Sequence, residues 1–216
     1  MPVFELRDTI IFPKPQLARA DGLLAVGGDL SPQRLMLAYS NGIFPWYSEG
    51  EPILWWSPDP RMVLFPSEFK RHKNLRKEVL SGRFDVTFDE DFAAVISACG
   101  RVPRKGQEGT WITQEMMEAY VRLYDMGVAH SVEVWEHGNL VGGLYGLKIG
   151  KVFFGESMFH LAPNASKVGL WHCINWLMEE GVSLIDAQQE TSHLASLGAR
   201  LISRESFLYL LFKLIT

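Results

Sequence analysis

The sequence predicts a mixed α/β fold in which helices pack against a largely antiparallel sheet. Three observations lead there. Residues 131–135, 140–147 and 151–159 each read as strand, and the turns His137-Gly138-Asn139 and Ile149-Gly150 join them into a meander. A helical stretch, a short apolar strand and further helical stretches follow that meander. Helix-starting residues at Ser31-Pro32, Thr113 and Ser203 punctuate the rest.

Taken in order, Ser31-Pro32 carries the N-cap and first-turn signature of a helix running to Ser40, and Asn41-Gly42 stops it. The stretch from Gly42 to Arg61 holds four prolines and three of the seven tryptophans. Prolines at that density forbid a regular helix, so an ordered loop pinned by aromatic side chains is expected. Residues 62–65 read as a strand, and a basic helix follows. Residues 84–88 alternate as a strand. Asp89 is placed to cap a helix ending before Gly100, and Thr113 one ending at Gly127. After the meander, a helix capped at Asn164 or Ser166 runs to Glu180, where Gly181 closes it. Val182 to Asp186 is a short strand, residues 194–197 begin another helical stretch, and Ser203 caps a final helix over 204–214. The loop from Gly100 to Gly109 is expected to divide an N-terminal domain, residues 1–100, from a C-terminal one, residues 101–216.

Composition narrows the function classes. A hydrophobic fraction of 47% supports a real core. No apolar run approaches the ~20 residues that cross a bilayer, so no membrane partner is expected. Cys99 and Cys173 are too few for a disulfide framework or a thiolate zinc site, which points to a reducing cytoplasm and no metal. The chain has no H-E-x-x-H, C-x-x-C, G-x-S-x-G or Walker motif. A reaction carried out here must be downhill or use a preactivated substrate, with no cofactor.

Polar residues cluster at strand ends. Leu184-Ile185-Asp186-Ala187-Gln188-Gln189-Glu190 begins as an apolar strand and breaks into polar side chains. Side chains two apart on a strand share a face, so Asp186 and Gln188 are expected to point the same way. Glu156 likewise sits among aromatics in Phe153-Phe154-Gly155-Glu156-Ser157-Met158-Phe159. A buried carboxylate is costly without a partner, and capping a loop or pairing with arginine is the plain alternative to a working role. Although the net charge is −4, Lys70 to Lys77 contains five basic residues and no acidic one, with Arg83 after it. Arg101, Arg104 and Lys105 form a second basic group. Such runs are solvated helix faces or phosphate contacts. Trp46 and Trp111 stand in loops where an indole can stack on a nucleobase, whereas Trp55 and Trp56 read as local core.

Ten blocks in order, among them G-L-L-A-V-G-G-D-L-S (22–31), W-W-S-P-D-P-R (55–61), F-G-E-S-M-F (154–159), L-I-D-A-Q-Q (184–189) and H-L-A-S-L-G-A (193–199), resemble leucyl/phenylalanyl-tRNA–protein transferases. The resemblance covers nearly the whole chain. It implies an α+β fold, with a small N-terminal α/β domain and a C-terminal domain like the GNAT acyltransferases. It also implies transfer of Leu or Phe, less readily Met, from aminoacyl-tRNA to proteins beginning with Arg or Lys. The product would be marked for N-degron degradation by a monomeric enzyme. By motif, Trp46, Trp111 and Tyr120 would hold the aminoacyl-adenosine end, and Leu144, Phe153, Met158, Leu170 and Ile185 would line its side-chain pocket. Cys173 stands at a pocket position where a bulkier apolar residue is expected.

The activation would already be stored in the ester, so the missing ATP site fits. An acceptor amine would attack the ester carbonyl and the ribose hydroxyl would leave. Gln188 would hold the amine through its carbonyl oxygen, Asp186 would orient Gln188, and Glu156 would position the amine. Lys70, Arg71, Lys73, Arg76, Lys77 and Arg83 would contact acceptor-stem phosphates. Two other classes fit less well. An acyl-CoA N-acyltransferase would need a glycine-rich pyrophosphate loop where Asn164-Ala165-Ser166-Lys167 stands. A non-catalytic RNA or peptide binder would need no polar group at Asp186 and Gln188.

Overall fold

The structure is a computed structural model and describes residues 3–102 and 111–216. Four short strands, β1 (Phe4–Leu6), β2 (Leu23–Gly27), β3 (Phe44–Pro45) and β4 (Leu54–Trp56), form a small sheet in the order β1-β2-β4-β3. Helix α1 (Pro32–Ser40) begins as expected, with the Arg34 N–H donating to the Ser31 hydroxyl. The proline-rich stretch departs from the expected loop, because it contains β3 and β4, paired at Phe44–Trp56 and Pro45–Trp55. Pro45 has no N–H to give, and β3 tolerates it as an edge strand. Aromatic pinning is present as well. Trp55 is wholly buried and donates its indole N–H to the Gly27 carbonyl at 2.8 Å.

The larger sheet runs β11-β5-β10-β9-β8-β7-β6. Its strands are β5 (Arg61–Leu64), β6 (Asp85–Phe88), β7 (Ala129–Glu136), β8 (Asn139–Ile149), β9 (Val152–His160), β10 (Leu184–Gln188) and β11 (Arg200–Ile202). The antiparallel meander is β7–β8–β9, as predicted. Beside it, β9 and β10 pair in parallel, because α5 (Ala165–Glu179) carries the chain back across the sheet before β10 begins. Alternation along β8 and β9 loads both faces. Leu144 and Phe153 pack with α5, while Tyr145 and Phe154 join the core beneath α3 (Phe92–Arg101) and α4 (Gln114–Asp125). Each such apolar side chain contributes about 1.5–3 kcal/mol on burial. The chain ends in α6 (Ser192–Ser196) and α7 (Arg204–Ile215).

Three local expectations shift. Asp91, not Asp89, caps α3, accepting the Ala94 N–H at 3.0 Å. Asp89 has φ 56, and its carboxylate meets the Ser131 N–H and the His130 ring instead. Helix α3 continues through Gly100 to Arg101. The basic helix α2 is only Lys73–Val79, so Lys70 and Arg71 precede it in the irregular segment that follows Pro66–Glu68. Most of the loop expected to divide the chain lies outside the described residues, Arg104 and Lys105 included. The larger sheet takes strands from both sides of that loop. Among the described residues no helix is long and apolar enough to cross a membrane.

Candidate active site

A cavity of about 410 Å³ is walled by β8, β9, β10, α5 and the segment after β3. Leu144, Phe153, Met158, Leu170, Cys173 and Ile185 form its apolar lining, and Trp46 and Trp111 add two indoles. Trp46 is held from behind, its carbonyl accepting the Trp56 indole N–H at 2.6 Å. The polar residues of the cavity include Glu156 and Gln188, both at least nine-tenths buried.

Two bulges put these polar residues there. On β9, Ser157 pairs with Tyr145 and Gly155 with Gly146, which leaves Glu156 without a partner on β8. Gly146 is required at this bulge, since a Cβ there would lie 2.2 Å from the Phe154 carbonyl oxygen. On β10, Asp186 faces Val63 and Gln188 faces Met62, so Ala187 is the extra residue. Gln188 reaches φ 61, a left-handed conformation uncommon outside glycine. A bulge re-aims the side chains beyond it. Asp186 and Gln188 therefore do not share a face as simple alternation predicts: Gln188 lines the cavity and Asp186 is buried behind it.

The two polar residues meet. The Gln188 amide donates to Glu156 Oε1 at 2.7 Å, and the Tyr120 hydroxyl donates to Oε2 at 3.0 Å. Tyr120 in turn is hydrogen-bonded to the Tyr39 hydroxyl of α1. Burial pushes the Glu156 carboxyl up to about 7, against the lowering effect of its tyrosine and glutamine donors. Burial, with the Glu156 charge next in weight, holds the Tyr39 and Tyr120 hydroxyls well above their ordinary value. Asp186 sits in a separate set of bonds. Arg61 donates Nε–H to its Oδ1 at 2.8 Å and Nη2–H to its Oδ2 at 2.7 Å, and the Gln188 backbone N–H donates to Oδ1 at 2.9 Å.

Chemically, the Gln188 amide has its N–H engaged with Glu156, and its carbonyl oxygen can accept from a ligand. Burial pushes the Cys173 thiol far up, which disqualifies it as a nucleophile. Among the described residues no three His, Cys, Asp or Glu side chains gather as a metal site.

Ten sequence-predicted residues, Trp46, Trp111, Leu144, Phe153, Glu156, Met158, Leu170, Cys173, Ile185 and Gln188, line one cavity. Tyr120 and Asp186 do not line it; each contacts a residue that does. The basic side chains are exposed, but not alike. Arg83 is engaged by Glu78 and Glu136, and Arg71 stacks on Trp171 and donates to Asn175 at 2.7 Å. The segment is docked at the cavity's edge: the Lys70 N–H donates to the Leu197 carbonyl at 2.9 Å, and the His72 ring meets the Ser196 carbonyl. Both carbonyls belong to the turn of α6, whose His193 and Leu194 line the cavity. Sequence reasoning missed Phe44, Pro45, Leu64, Tyr145, Gly155, Ser157, Ala187, Gln189, Thr191, His193 and Leu194. Phe44-Pro45 adjoins Trp46 in the sequence, a signal that could have extended the aromatic wall.

Two family models match the chain. "Leucyl/phenylalanyl-tRNA protein transferase" matches residues 63–212, and its N-terminal domain matches residues 28–59. A leucyl/phenylalanyl-tRNA–protein transferase of Syntrophotalea carbinolica is 56% identical over 98% of this chain and 92% of its own length. One from Syntrophobacter fumaroxidans is 57% identical over 98% and 90%. Among solved structures, a GCN5-related N-acetyltransferase from Kribbella flavida is similar at a TM-score of 0.36 and 10% identity, covering 78% of this chain and 60% of its own.

Proposed function

This chain belongs to the leucyl/phenylalanyl-tRNA protein transferase family, and from that premise we propose that it moves Leu or Phe, and less readily Met, from aminoacyl-tRNA to the α-amine of proteins beginning with Arg or Lys. The observation that carries this reading is the Glu156–Gln188 pair in an apolar cavity flanked by two indoles. The cavity suits an apolar aminoacyl side chain, and Trp46 and Trp111 suit the terminal adenine, where stacking contributes about 1–3 kcal/mol per base.

In the proposed reaction the neutral acceptor amine attacks the ester carbonyl carbon. A C–N bond forms, the C–O bond to the ribose breaks, and the amine's proton ends on the departing ribose oxygen. The Gln188 carbonyl oxygen holds the amine on its line of attack, which is the entropic part of the acceleration. An amide oxygen does not keep a proton, so the transfer passes through a ribose hydroxyl or water. Glu156 holds the Gln188 amide and lends negative charge to an amine that becomes positive as it bonds. Asp186 acts on Gln188 through its backbone. Lys70, Arg71, Lys73, Arg76 and Lys77 contact acceptor-stem phosphates along the rim formed by α6; Arg83, held by two glutamates, is the weakest candidate in that group. The enzyme works as a cytoplasmic monomer, and its products are degraded.

The test is to mix the purified protein with [14C]Leu-tRNA and a protein beginning with Arg, without ATP or coenzyme A. Label on the acceptor supports transfer from the activated ester. Label that appears only when an acyl-CoA is supplied would replace this reading with a conventional N-acyltransferase, and binding without transfer would make it a recognition module.

A further inference from the structure

We propose that Arg61 is a positioning residue for this transfer, clamping the Gln188 amide and the aromatic wall of the cavity into one register. The inference rests on the transferase reading of the site. Arg61 is fully buried on β5, and its two bonds to Asp186 are parallel and bidentate, the geometry that fixes a carboxylate in both distance and plane. The Asp186 oxygen that accepts from Nε also accepts the backbone N–H of Gln188, two residues on. That bond spans the β10 bulge and holds Gln188 in its left-handed conformation. Rotation of the carboxylate would release the bulge and swing the amide away from Glu156.

The same guanidinium lies between two rings. The centroids of Phe44 and Phe207 are each 4.7 Å from its central carbon. Phe44 lines the cavity two residues before Trp46, and Phe207 belongs to α7. One flat cation thus touches the wall that carries Trp46 and the carboxylate that sets Gln188. Stability does not explain the arrangement. A buried ion pair adds little over an apolar pair of equal volume, and Arg61 Nη1 has no hydrogen-bond partner among the described residues. Only an arginine serves both contacts, since an ammonium lacks the fork and the stacking plane.

The experiment compares Arg61→Lys, Gln188→Ala and the double variant by steady-state transfer kinetics, with folding followed by circular dichroism. Arg61→Lys is expected to lower kcat about tenfold or more while KM for aminoacyl-tRNA stays within about twofold. On the Gln188→Ala background the same change should cost several-fold less than on the wild type, because the clamp then has no amide to hold and only its grip on the Phe44 wall is lost. The side-chain amide resonance of Gln188 should also move in Arg61→Lys. If Arg61→Lys does not fold, Arg61→Met combined with Asp186→Leu removes both charges and takes its place, with the same expected loss. A kcat near that of the wild type, or an equal loss on both backgrounds, overturns the proposal. Absence of transfer by the wild-type protein would overturn the reading of the site instead, and an unmoved Gln188 resonance would then decide against Arg61.

Discussion

Glu156 is the residue whose chemistry depends most on its place. Between its donors Gln188 and Tyr120, and raised by burial to about 7, it changes charge within the working range of most enzymes. On the proposed mechanism it supports the incoming amine as a carboxylate and loses that role as an acid. Turnover is therefore expected to rise with pH through the region near 7. Glu156→Gln should remove the part of that limb near 7, leaving the rise at about pH 8 that deprotonation of the acceptor amine sets, and lower the plateau by about 10²-fold, as read from a pH–rate profile under single-turnover conditions. A limb near 7 that survives the substitution would assign that titration to another group. At this scale the sequence was legible by residue type and motif, and illegible in direction. Asp186 and Gln188 both stand out in the sequence, yet strict alternation placed them on one face. The bulge at Ala187 has no marker in Asp186-Ala187-Gln188, since a left-handed glutamine looks like any other glutamine in a sequence. On β9 part of the signal existed: Gly146, which faces Gly155 beside Glu156, marks a place where a side chain does not fit.

At the scale of elements, the basic segment is informative because of what it is fastened to. The Lys70 amide and the His72 ring hold the carbonyls of Leu197 and Ser196, so the basic segment leading into α2 is mechanically joined to the cavity rim. Lys73, Arg76 and Lys77 are exposed and form no ion pair with any described residue. Replacing all three with alanine should weaken tRNA binding and reduce the slope of log K against log salt by about 2. An unchanged slope in a salt titration would make α2 a solvated face. The helix was legible as a basic run, but its start was not. Pro66 and the turn after it delay the helix to Lys73, and a charge run carries no period from which to read that boundary. The small strands β3 and β4 were hidden for the opposite reason: proline density argued against them, although an edge position needs few backbone donors.

At the scale of the whole molecule, a buried polar line runs from Tyr39 on α1 through Tyr120 on α4 to Glu156 on β9 and Gln188 on β10. It joins helices packed on one side of the sheet to a cavity on the other. The mixed fold class was legible, because a meander shows itself by its turns. The parallel β9–β10 pair, where the cavity forms, depends on how α5 crosses the sheet and is not written locally. The line also sets a pH dependence of stability. A carboxyl raised from 4.5 to about 7 favours folding fully below pH 4.5, and that contribution is lost as pH rises through 7. Its full size is on the order of 3 kcal/mol. The Tm of Glu156→Gln relative to wild type should accordingly become more positive between pH 5 and pH 8 in thermal melts; a constant difference would show that Glu156 does not titrate in the folded protein. The two cavity indoles have an optical consequence. Trp46 and Trp111 absorb and emit within a few ångströms of any base seated there, while Trp55 is sealed in the core. The protein carries its own fluorophores at the site and a reference away from it, so occupancy can be followed by tryptophan quenching without a label on either substrate.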